Sequence, residues 1–335
     1  MRDSRTLVAG TDYPRTFTEF DGFFGEEASC REYLSHVRWP SGFVCPRCRS
    51  QVGAWTTSRG YFHCRVCEAE TSVTAGTIFQ DTRSPLRSWF LAMWFVTSQK
   101  YGASALGLKR VLGLSSYQTA WTWLHKLRRA MVRPGRDQLK GIVEVDETYV
   151  GGEEEGVRGR ETHEKAIVVI AVEMRQPKGF GRVRMRQVPD CSAASLASFV
   201  RDTVAPGACV HTDGWPAYNG LAKLGYGRKV TVLSASNDPA HVLMPGVHRI
   251  ASLLKRLLLG THQGAVSNRH LDYYLDEYTF RFNRRTSTSR GLLFFRLMEQ
   301  AVTTPPTSYR ALVGGSAATS VGIHHKALGS LASDG

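Results

Sequence analysis

Two apolar segments that each end on an aspartate place the strongest constraint on how this chain folds. The first, Ile142–Asp146, is rich in β-branched residues, and the paired glycines Gly151 and Gly152 that follow it suit a turn. The second, Cys209–Asp213, has the same form and is followed by Gly-Trp-Pro. A carboxylate at the end of an apolar strand is costly to bury unless a cation or hydrogen bonds meet it. A single strand-end aspartate is most often a cap or turn residue, but two such acids favour a shared polar site.

A third segment, Pro245–Lys255, predicts a helix because Pro and Gly precede a long apolar run. His248 and Lys255 are seven residues apart, so they share one face of that helix. Two strand-end carboxylates with a helical side chain facing them have the composition of a site for divalent metal ions. In two-metal phosphoryl transfer such ions lie roughly 3.5–4 Å apart.

Four of the seven cysteines form two close pairs. Cys45 and Cys48 make the first pair and Cys64 and Cys67 the second, with fifteen residues between the pairs. In a cytoplasmic chain this spacing predicts a tetrahedral structural zinc site rather than two disulfides. The residues between the pairs predict a hairpin with its turn at Arg59-Gly60, which together with the cysteines makes a zinc ribbon. Such a module binds DNA, binds protein or only stabilises a small fold, and the sequence leaves these alternatives open.

The charge balance indicates a polyanionic partner. The net charge is +14, and residues 1–140 carry 20 Lys and Arg against 11 Asp and Glu. DNA or RNA is the simplest partner for such an excess, although a basic face also serves solubility. The chain has no run of eighteen apolar residues and no apolar signal-peptide core, so we expect a cytoplasmic, nucleoid-associated protein with no membrane partner.

Residues 84–133 predict a helical region with a helix-turn-helix. Leu106–Leu112 is the first short helix, and Ser115 is the expected cap of the second. Helical hairpins are also common structural elements, so the pattern alone does not establish DNA reading. The candidate DNA contacts are Ser116, Tyr117, Gln118, Lys126, Arg128 and Arg129 on the second helix, and Arg284 and Arg285 at the end of a later helix.

The remaining pattern predicts an α/β fold. Three consecutive strands, a helix, a strand, a short helix, a strand and a final helix resemble an RNase H-like core, a mixed sheet with flanking helices, preceded by the zinc ribbon and the helix-turn-helix region. In that fold the first and fourth strands are neighbours, which would bring Asp146 and Asp213 together.

We expect residues 1–20 to be loosely ordered. The predicted regions are 20–80 for the zinc ribbon with a short preceding helix, 84–136 for the helix-turn-helix, 141–301 for the catalytic domain and 303–335 for a weakly ordered tail.

Several segments together resemble bacterial insertion-sequence transposases of the ISXO2-like group. They are Val145–Gly152, His211–Trp215, Val247–Lys255, Leu259–Gly264 and Phe280–Arg285. The resemblance implies a DDE-type core with Asp146 and Asp213 as its two invariant acids. The group's third position lies seven residues before a lysine. Here that lysine is Lys255 and the third position holds His248, as in a D-D-H-K branch of the group.

The resemblance further implies two catalytic Mg²⁺ or Mn²⁺ ions held by Asp146, Asp213 and His248, with Lys255 contacting a phosphate near the scissile bond. With a neutral imidazole the site has one negative charge fewer than it would have with a glutamate. Nitrogen ligands suit Mn²⁺ as well as Mg²⁺. Glu147 is a candidate auxiliary carboxylate, with a role behind the metal site or in the loop as the alternative.

The implied function is a transposase that binds the terminal inverted repeats of its insertion sequence as a homo-oligomer. It would cleave a DNA strand and join the end to double-stranded target DNA. Two alternatives remain open from the sequence: a transposase-derived DNA-binding regulator, and an RNase H-like structure-specific nuclease that cuts without joining.

Overall fold

The computed structural model describes residues 7–99, 101–133, 135–151, 165–232, 238–264 and 266–314. These residues form two compact units, one of residues 7–133 and 286–314 and the other of residues 135–285. No helix in the described ranges is long and apolar enough to cross a bilayer. The charged loop predicted between residues 153 and 164 lies outside the described residues.

The first unit contains helices and a small sheet. Its elements up to residue 130 are α1 (Phe17–Phe23), α2 (Glu27–Arg38), β1 (Ala54–Thr56), β2 (Phe62–Cys64), β3 (Glu70–Thr71), α3 (Leu86–Ser98), α4 (Ala105–Leu112) and α5 (Tyr117–Ala130). The strands pair antiparallel in the order β1-β2-β3. The β1–β2 pair is the predicted hairpin, and the rings of Trp39, Phe43 and Phe62 pack together beside it with centroids 4.8–5.0 Å apart.

The N-terminal segment is more ordered than the sequence suggested. Residues 1–6 lie outside the described residues, but residues 17–20 belong to α1, so the expectation of a loosely ordered stretch is wrong there. The reason is aromatic burial: Phe20 and Phe24 are both fully buried. Their ring centroids are 4.9 Å apart, and that of Phe24 lies 4.9 Å from that of Phe90 on α3. Burying each ring stabilises the fold by about 1.5–3 kcal/mol, which exceeds the helix cost of the polar residues around it.

The helices α4 and α5 form the predicted helix-turn-helix. Helix α4 ends at Leu112 because Gly113 adopts a φ of 63°, a left-handed conformation that glycine takes without a Cβ clash. The cap of α5 is Ser116 and not the predicted Ser115. Ser116 has the extended backbone that an N-cap requires, and its Oγ accepts a hydrogen bond from the Gln118 N–H at 3.1 Å.

The second unit is built on a five-stranded mixed sheet. Its elements are β4 (Ile142–Val150), β5 (Ala166–Met174), β6 (Phe180–Val188), α6 (Ala193–Thr203), β7 (Cys209–Asp213), a 3₁₀ helix (Pro216–Leu224), β8 (Gly227–Thr231), α7 (Ala240–Leu243), α8 (Pro245–His262) and α9 (Leu271–Phe282). The strand order is β6-β5-β4-β7-β8, with β4, β5 and β6 antiparallel and β7 and β8 parallel to β4. This is the RNase H-like arrangement, and its first and fourth strands are neighbours as predicted.

Each face of the sheet carries its own apolar core. Val143 and Val145 of β4 pack on one face with Phe199 of α6 and with the 3₁₀ helix. On the other face, Val168 and Ile170 of β5 belong to a cluster that includes residues of α8 and α9. Since side chains alternate along a strand, Glu144 and Asp146 face the side that α8 covers.

The chain then returns to the first unit with α10 (Arg290–Ala301) and α11 (Tyr309–Gly314). Phe294 of α10 is fully buried among the aromatic rings of that unit, 5.6 Å from the centroid of Phe24. The boundary proposed at residue 301 would assign α10 to the catalytic region, whereas its contacts lie in the first unit. Of the predicted tail, residues 315–335 lie outside the described residues.

Candidate active site

The register of the sheet brings the two predicted acids to the same level. Ile142, Val143 and Glu144 of β4 pair with residues 209, 210 and 211 of β7, a constant offset of 67. Continuing that register by two residues places Asp213 beside Asp146. Both side chains share the face of the sheet that α8 covers, because strand alternation puts them on the side opposite Val145. Two acids distant in sequence therefore meet where β7 ends at Asp213. The sequence placed Asp146 at a strand end as well, but β4 continues past it to Val150 because residues 147–150 still pair with β5.

The environment of Asp146 concentrates negative charge. Its side chain is 16% exposed, and its Oδ1 accepts a hydrogen bond from the Glu147 backbone N–H at 2.9 Å. Burial, followed by the negative charges of Glu147 and Asp213, raises the pKa of Asp146 to about 8. A bound cation is the natural way to hold this carboxyl ionised at neutral pH.

A local turn orients Asp213. Its Oδ1 accepts a hydrogen bond from the Trp215 backbone N–H at 3.0 Å, and the Trp215 indole donates to the Cys191 carbonyl at 3.1 Å. The Gly-Trp-Pro sequence after the strand is thus the means by which the second carboxylate is held. Such an Asx-type turn is common at strand ends, but here it operates beside a second acid.

Helix α8 adds His248 to the two acids. The His248 Nε2 lies 4.0 Å from Asp146 Oδ2, is itself buried, and has no hydrogen-bond partner within the described part of the chain. Burial, followed by the charge of His241, lowers the pKa of His248, which leaves the ring neutral with a lone pair available. Two carboxylates and one neutral imidazole fit a divalent cation such as Mg²⁺ or Mn²⁺.

A cavity of about 190 Å³ joins Asp146 and His248 to Lys255. Its walls are Asp146, Glu147, Thr148, Tyr149, Ile170, Val247, His248, Ala251 and Lys255. A second cavity of about 630 Å³ shares His248 and Lys255 with it and continues beside Ser252 and Arg256 of α8. Positive charge therefore lines the approach to the acids, as a phosphodiester substrate requires.

Two residues of this region were not predicted. Glu144 is only 2% exposed, and its Oε2 accepts hydrogen bonds from the Gly246 and Val247 N–H groups at the start of α8. Tyr218 is fully buried, and burial, followed by the charges of Glu147, Asp146 and Asp213, raises its pKa well above the usual value. A charged residue inside the apolar run before Asp146 was the available sequence signal for Glu144. For Tyr218 the only available signal was its closeness to Asp213 in the sequence.

The four predicted zinc ligands form a tight group. The sulfurs of Cys45, Cys48, Cys64 and Cys67 all lie within 4.8 Å of one another. The backbone N–H of Cys48 lowers the pKa of Cys45 to about 6, toward the thiolate that binds metal. Four thiols in this grouping fit one structural Zn²⁺. Among the described residues, the cysteines form the single group of three or more ligand atoms this close together, so Asp146, Asp213 and His248 are spread more widely.

Comparison with known proteins finds a family match in the region of each site. A family model described as the ISXO2-like transposase domain matches residues 138–283, and one described as the transposase zinc-ribbon domain matches residues 25–70, together more than half of the chain. The chain belongs to the ISXO2-like transposases. Both matched segments contain the residues that the sequence singled out, the two acids and His248 in one and the four cysteines in the other.

Two individual proteins resemble this transposase. An uncharacterized protein in transposable element ISH50 of Halobacterium salinarum is 27% identical over 280 residues, which cover 77% of the transposase and 91% of the relative. A crystal structure of the catalytic core domain of BIV integrase is 20% identical, with a TM-score of 0.31, and covers 45% of the transposase and 89% of that chain.

The predicted DNA contacts on α5 have unequal positions in the transposase. Tyr117 and Gln118 are exposed at the start of the helix, whereas Ser116 serves as its cap. Lys126 and Arg129 are half-buried, with the Lys126 Nζ 5.8 Å from the Trp89 ring centroid. Arg128 is 2% exposed and its guanidinium donates to the Ala103 carbonyl at 3.1 Å. The assignment of Arg128 as a DNA contact is therefore wrong, because its charged group is enclosed by the fold.

Arg284 and Arg285 have structural contacts of their own. The Arg284 guanidinium lies 4.0 Å from the Phe280 ring centroid and donates to the Phe280 carbonyl at 3.2 Å. Arg285 stacks 3.9 Å from the Phe282 ring centroid and donates to the carbonyls of Phe180, Gly181 and Phe282. Arg285 thereby ties the end of α9 to the edge strand β6, whereas Arg284 contacts Phe280 of its own helix. Arg285 is exposed, so a phosphate contact stays a prediction for it.

Proposed function

We propose that this transposase binds the terminal inverted repeats of its insertion sequence as a homo-oligomer at the nucleoid. There it cleaves one DNA strand at the element end and joins that end to target DNA. The proposal depends on one observation above all. Asp146 and Asp213 share a register level on adjacent parallel strands, and the buried Nε2 of His248 lies 4.0 Å from Asp146.

In the reaction, water attacks the phosphodiester at the element end and the P–O3′ bond breaks, which frees a 3′-OH. That 3′-OH then attacks a phosphodiester of target DNA and displaces a 3′ oxygen there. Bound Mg²⁺ or Mn²⁺ ions supply activation of the attacking oxygen and stabilisation of the leaving one. Asp146, Asp213 and His248 would hold the ions, and the Lys255 ammonium would orient the scissile phosphate, since it lines the same cavity.

DNA binding is proposed to lie mainly in residues 20–133. The ribbon supports this, because Trp55 is 44% exposed, its ring stacks on His63 with centroids 4.0 Å apart, and the Arg65 guanidinium lies 5.5 Å from its centroid. An exposed ring with a guanidinium group beside it suits nucleic acid. Tyr117 and Gln118 at the start of α5 are the candidate base contacts, and Lys126 and Arg129 the candidate phosphate contacts.

The test is a single-turnover assay with DNA from the ends of the element and both Mg²⁺ and Mn²⁺. Asp146→Asn, Asp213→Asn and His248→Ala should each lower cleavage by roughly 10³-fold or more while DNA affinity is retained, because charge stabilisation at the reacting phosphate is lost. His248→Glu should keep cleavage and shift its preference toward Mg²⁺. A His248→Ala protein that joins ends at a near wild-type rate would contradict the role given to His248.

Pre-cleaved ends separate the two alternatives. A structure-specific nuclease would cut the element end but leave a pre-cleaved 3′-OH unjoined, and a DNA-binding regulator would bind the ends without cutting them. The proposed transposase joins pre-cleaved ends to target DNA and forms a product whose length reports the new bond.

A further inference from the structure

Glu144 makes a long-range contact that the proposed chemistry does not explain. It lies on β4 two residues before Asp146, and its side chain is almost completely enclosed at 2% exposure. Its Oε2 accepts hydrogen bonds from the backbone N–H groups of Gly246 at 2.7 Å and Val247 at 3.0 Å, more than a hundred residues later in the chain. A buried carboxylate is retained only where strong hydrogen bonds compensate its desolvation.

These hydrogen bonds satisfy backbone N–H groups at the start of α8 that have no partner inside the helix. The first four N–H groups of a helix have no partner inside it, and their partial positive charge favours an anion. Pro245 at the first position has no N–H, and Met244, the N-cap residue, provides no side-chain cap. The carboxylate of Glu144 therefore acts as the cap of α8, supplied from the sheet.

The contact also requires an unusually close approach. A Cβ built on Gly246 would lie 2.7 Å from Glu144 Oε2 and 2.8 Å from the Met174 Sδ on β5. Both distances are too short for any side chain, so glycine is what allows the helix start to lie directly on the sheet. This close approach fixes where the start of α8 lies on the sheet.

We propose that Glu144 is a positioning residue that fixes His248 opposite Asp146. His248 directly follows Val247, whose N–H bonds Glu144, and its Nε2 lies 4.0 Å from Asp146 Oδ2. One short stretch of β4 thus contains Asp146, which belongs to the site, and Glu144, which anchors the helix that carries His248. The inference rests on the proposed function for its catalytic consequence, but the anchoring itself is measurable without activity.

The experiment compares Glu144→Ala, Glu144→Gln and Gly246→Ala in the full-length zinc-loaded protein. Hydrogen exchange in peptides covering residues 244–250 should become about tenfold faster in Glu144→Ala, since charged hydrogen bonds to two amides are lost. Single-turnover cleavage at saturating DNA should fall about 10²-fold, as expected for a small misplacement of a reacting group, with DNA affinity changed less than about twofold. Glu144→Gln keeps an acceptor oxygen and should recover cleavage to within about tenfold of wild type. Gly246→Ala, which retains the carboxylate but pushes the helix away, should behave like Glu144→Ala.

Val183→Ala is the matched control, because Val183 is fully buried in the same face of the sheet but on β6, away from the start of α8. It should lower the melting temperature and leave cleavage close to wild type. The inference is overturned if Glu144→Ala exchanges at the wild-type rate, or if it cleaves as fast as Val183→Ala. If Glu144→Ala does not fold, cleavage by Gly246→Ala as fast as that by Val183→Ala overturns it equally. If the wild-type protein fails to cleave element ends, the proposed function is wrong, and the exchange comparison still decides whether Glu144 anchors α8.

Discussion

The two candidate metal sites of this transposase are assembled in opposite ways. The ribbon draws four cysteines from two short segments joined by one hairpin, and all their sulfurs lie within 4.8 Å of one another. The second site draws Asp146, Asp213 and His248 from two strands and a helix. These side chains are spread more widely, and Asp146 and His248 line a cavity of about 190 Å³. A structural zinc site closes around its ion with protein ligands, whereas a site that acts on a substrate keeps room beside the metal. The geometry of each site thus agrees with its proposed role.

The electrostatics of the two sites differ as well. In the ribbon, hydrogen bonding from the backbone lowers the pKa of Cys45 to about 6. For Cys48 a backbone hydrogen bond from Ser50 is outweighed by burial and the neighbouring thiols, which raise its pKa. In the second site, burial and neighbouring acids raise the pKa of Asp146 to about 8. This carboxyl is therefore protonated at neutral pH unless a bound cation stabilises its charged form. A bound cation would therefore be needed in both sites to hold Cys48 and Asp146 in their charged forms, and in the second site it would also balance the charges of the neighbouring acids.

The largest expected effect is the loss of zinc. Replacing Cys48 by Ser, or removing the ion with a chelator, should unfold the ribbon, because the binding free energy of such sites, about 10–16 kcal/mol, is also folding free energy. Zinc content by elemental analysis and protease sensitivity of residues 39–75 measure this. Cys191→Ala, which removes a thiol outside the cluster, should keep one zinc per chain. Wild-type protein purified without chelator and found free of zinc would contradict the assignment.

The second prediction concerns pH in metal-free protein. Folded Asp146 keeps its proton up to about pH 8, whereas the unfolded residue loses it near its ordinary value of 3.8. Since the folded state binds more protons between these values, the stability contribution of Asp146 is complete below about pH 4 and is lost as the pH rises to about 8. Asp146→Asn removes this titration. As the pH rises from about 4 to about 8, its melting temperature should therefore increase relative to that of wild type.

Divalent metal sharpens the same comparison. Mn²⁺ at a hundred times its dissociation constant should stabilise wild type by about 2.7 kcal/mol, with the larger effect at higher pH, and should stabilise Asp146→Asn much less. A difference in melting temperature between the two proteins that stays constant from pH 4 to pH 8 would show that Asp146 is not protonated in the fold.

The smallest effects are expected on α5, where neighbouring arginines should separate stability from DNA binding. Arg128→Ala should cost about 1–3 kcal/mol of stability, because a buried hydrogen-bonded charge is removed from the fold. Arg129→Ala should change stability by less than about 0.5 kcal/mol and reduce the dependence of log affinity on log salt by about 0.9, the value for one phosphate contact. Chemical denaturation and DNA titrations at several salt concentrations measure both. An unchanged salt dependence in Arg129→Ala would remove that residue from the DNA contacts.

The sequence was informative wherever a pattern was local. Cysteine spacing predicted the ribbon, and apolar strands ending at Asp146 and Asp213 predicted the sheet that joins them. It was less informative where burial depended on distant partners. Arg128 looked like a surface cation because it stands in a basic helix, and its contact with Ala103 is not visible in the local pattern. The polar character of residues 1–20 likewise concealed α1, whose Phe20 is buried by rings on α3 and α10.

By itself, the sequence determined the chemical types available to each site, four thiols in one and two acids with an imidazole in the other. It also determined the order of strands, from which their adjacency could be expected. Only the tertiary structure decided how far apart the ligands lie, and it alone revealed that Glu144 caps α8 through Gly246 and Val247. The physical reason is the separation along the sequence of the residues that determine each feature. Cysteine spacing and strand alternation are properties of a few neighbouring residues, whereas a carboxylate that caps a helix more than a hundred residues away depends on how closely two elements pack.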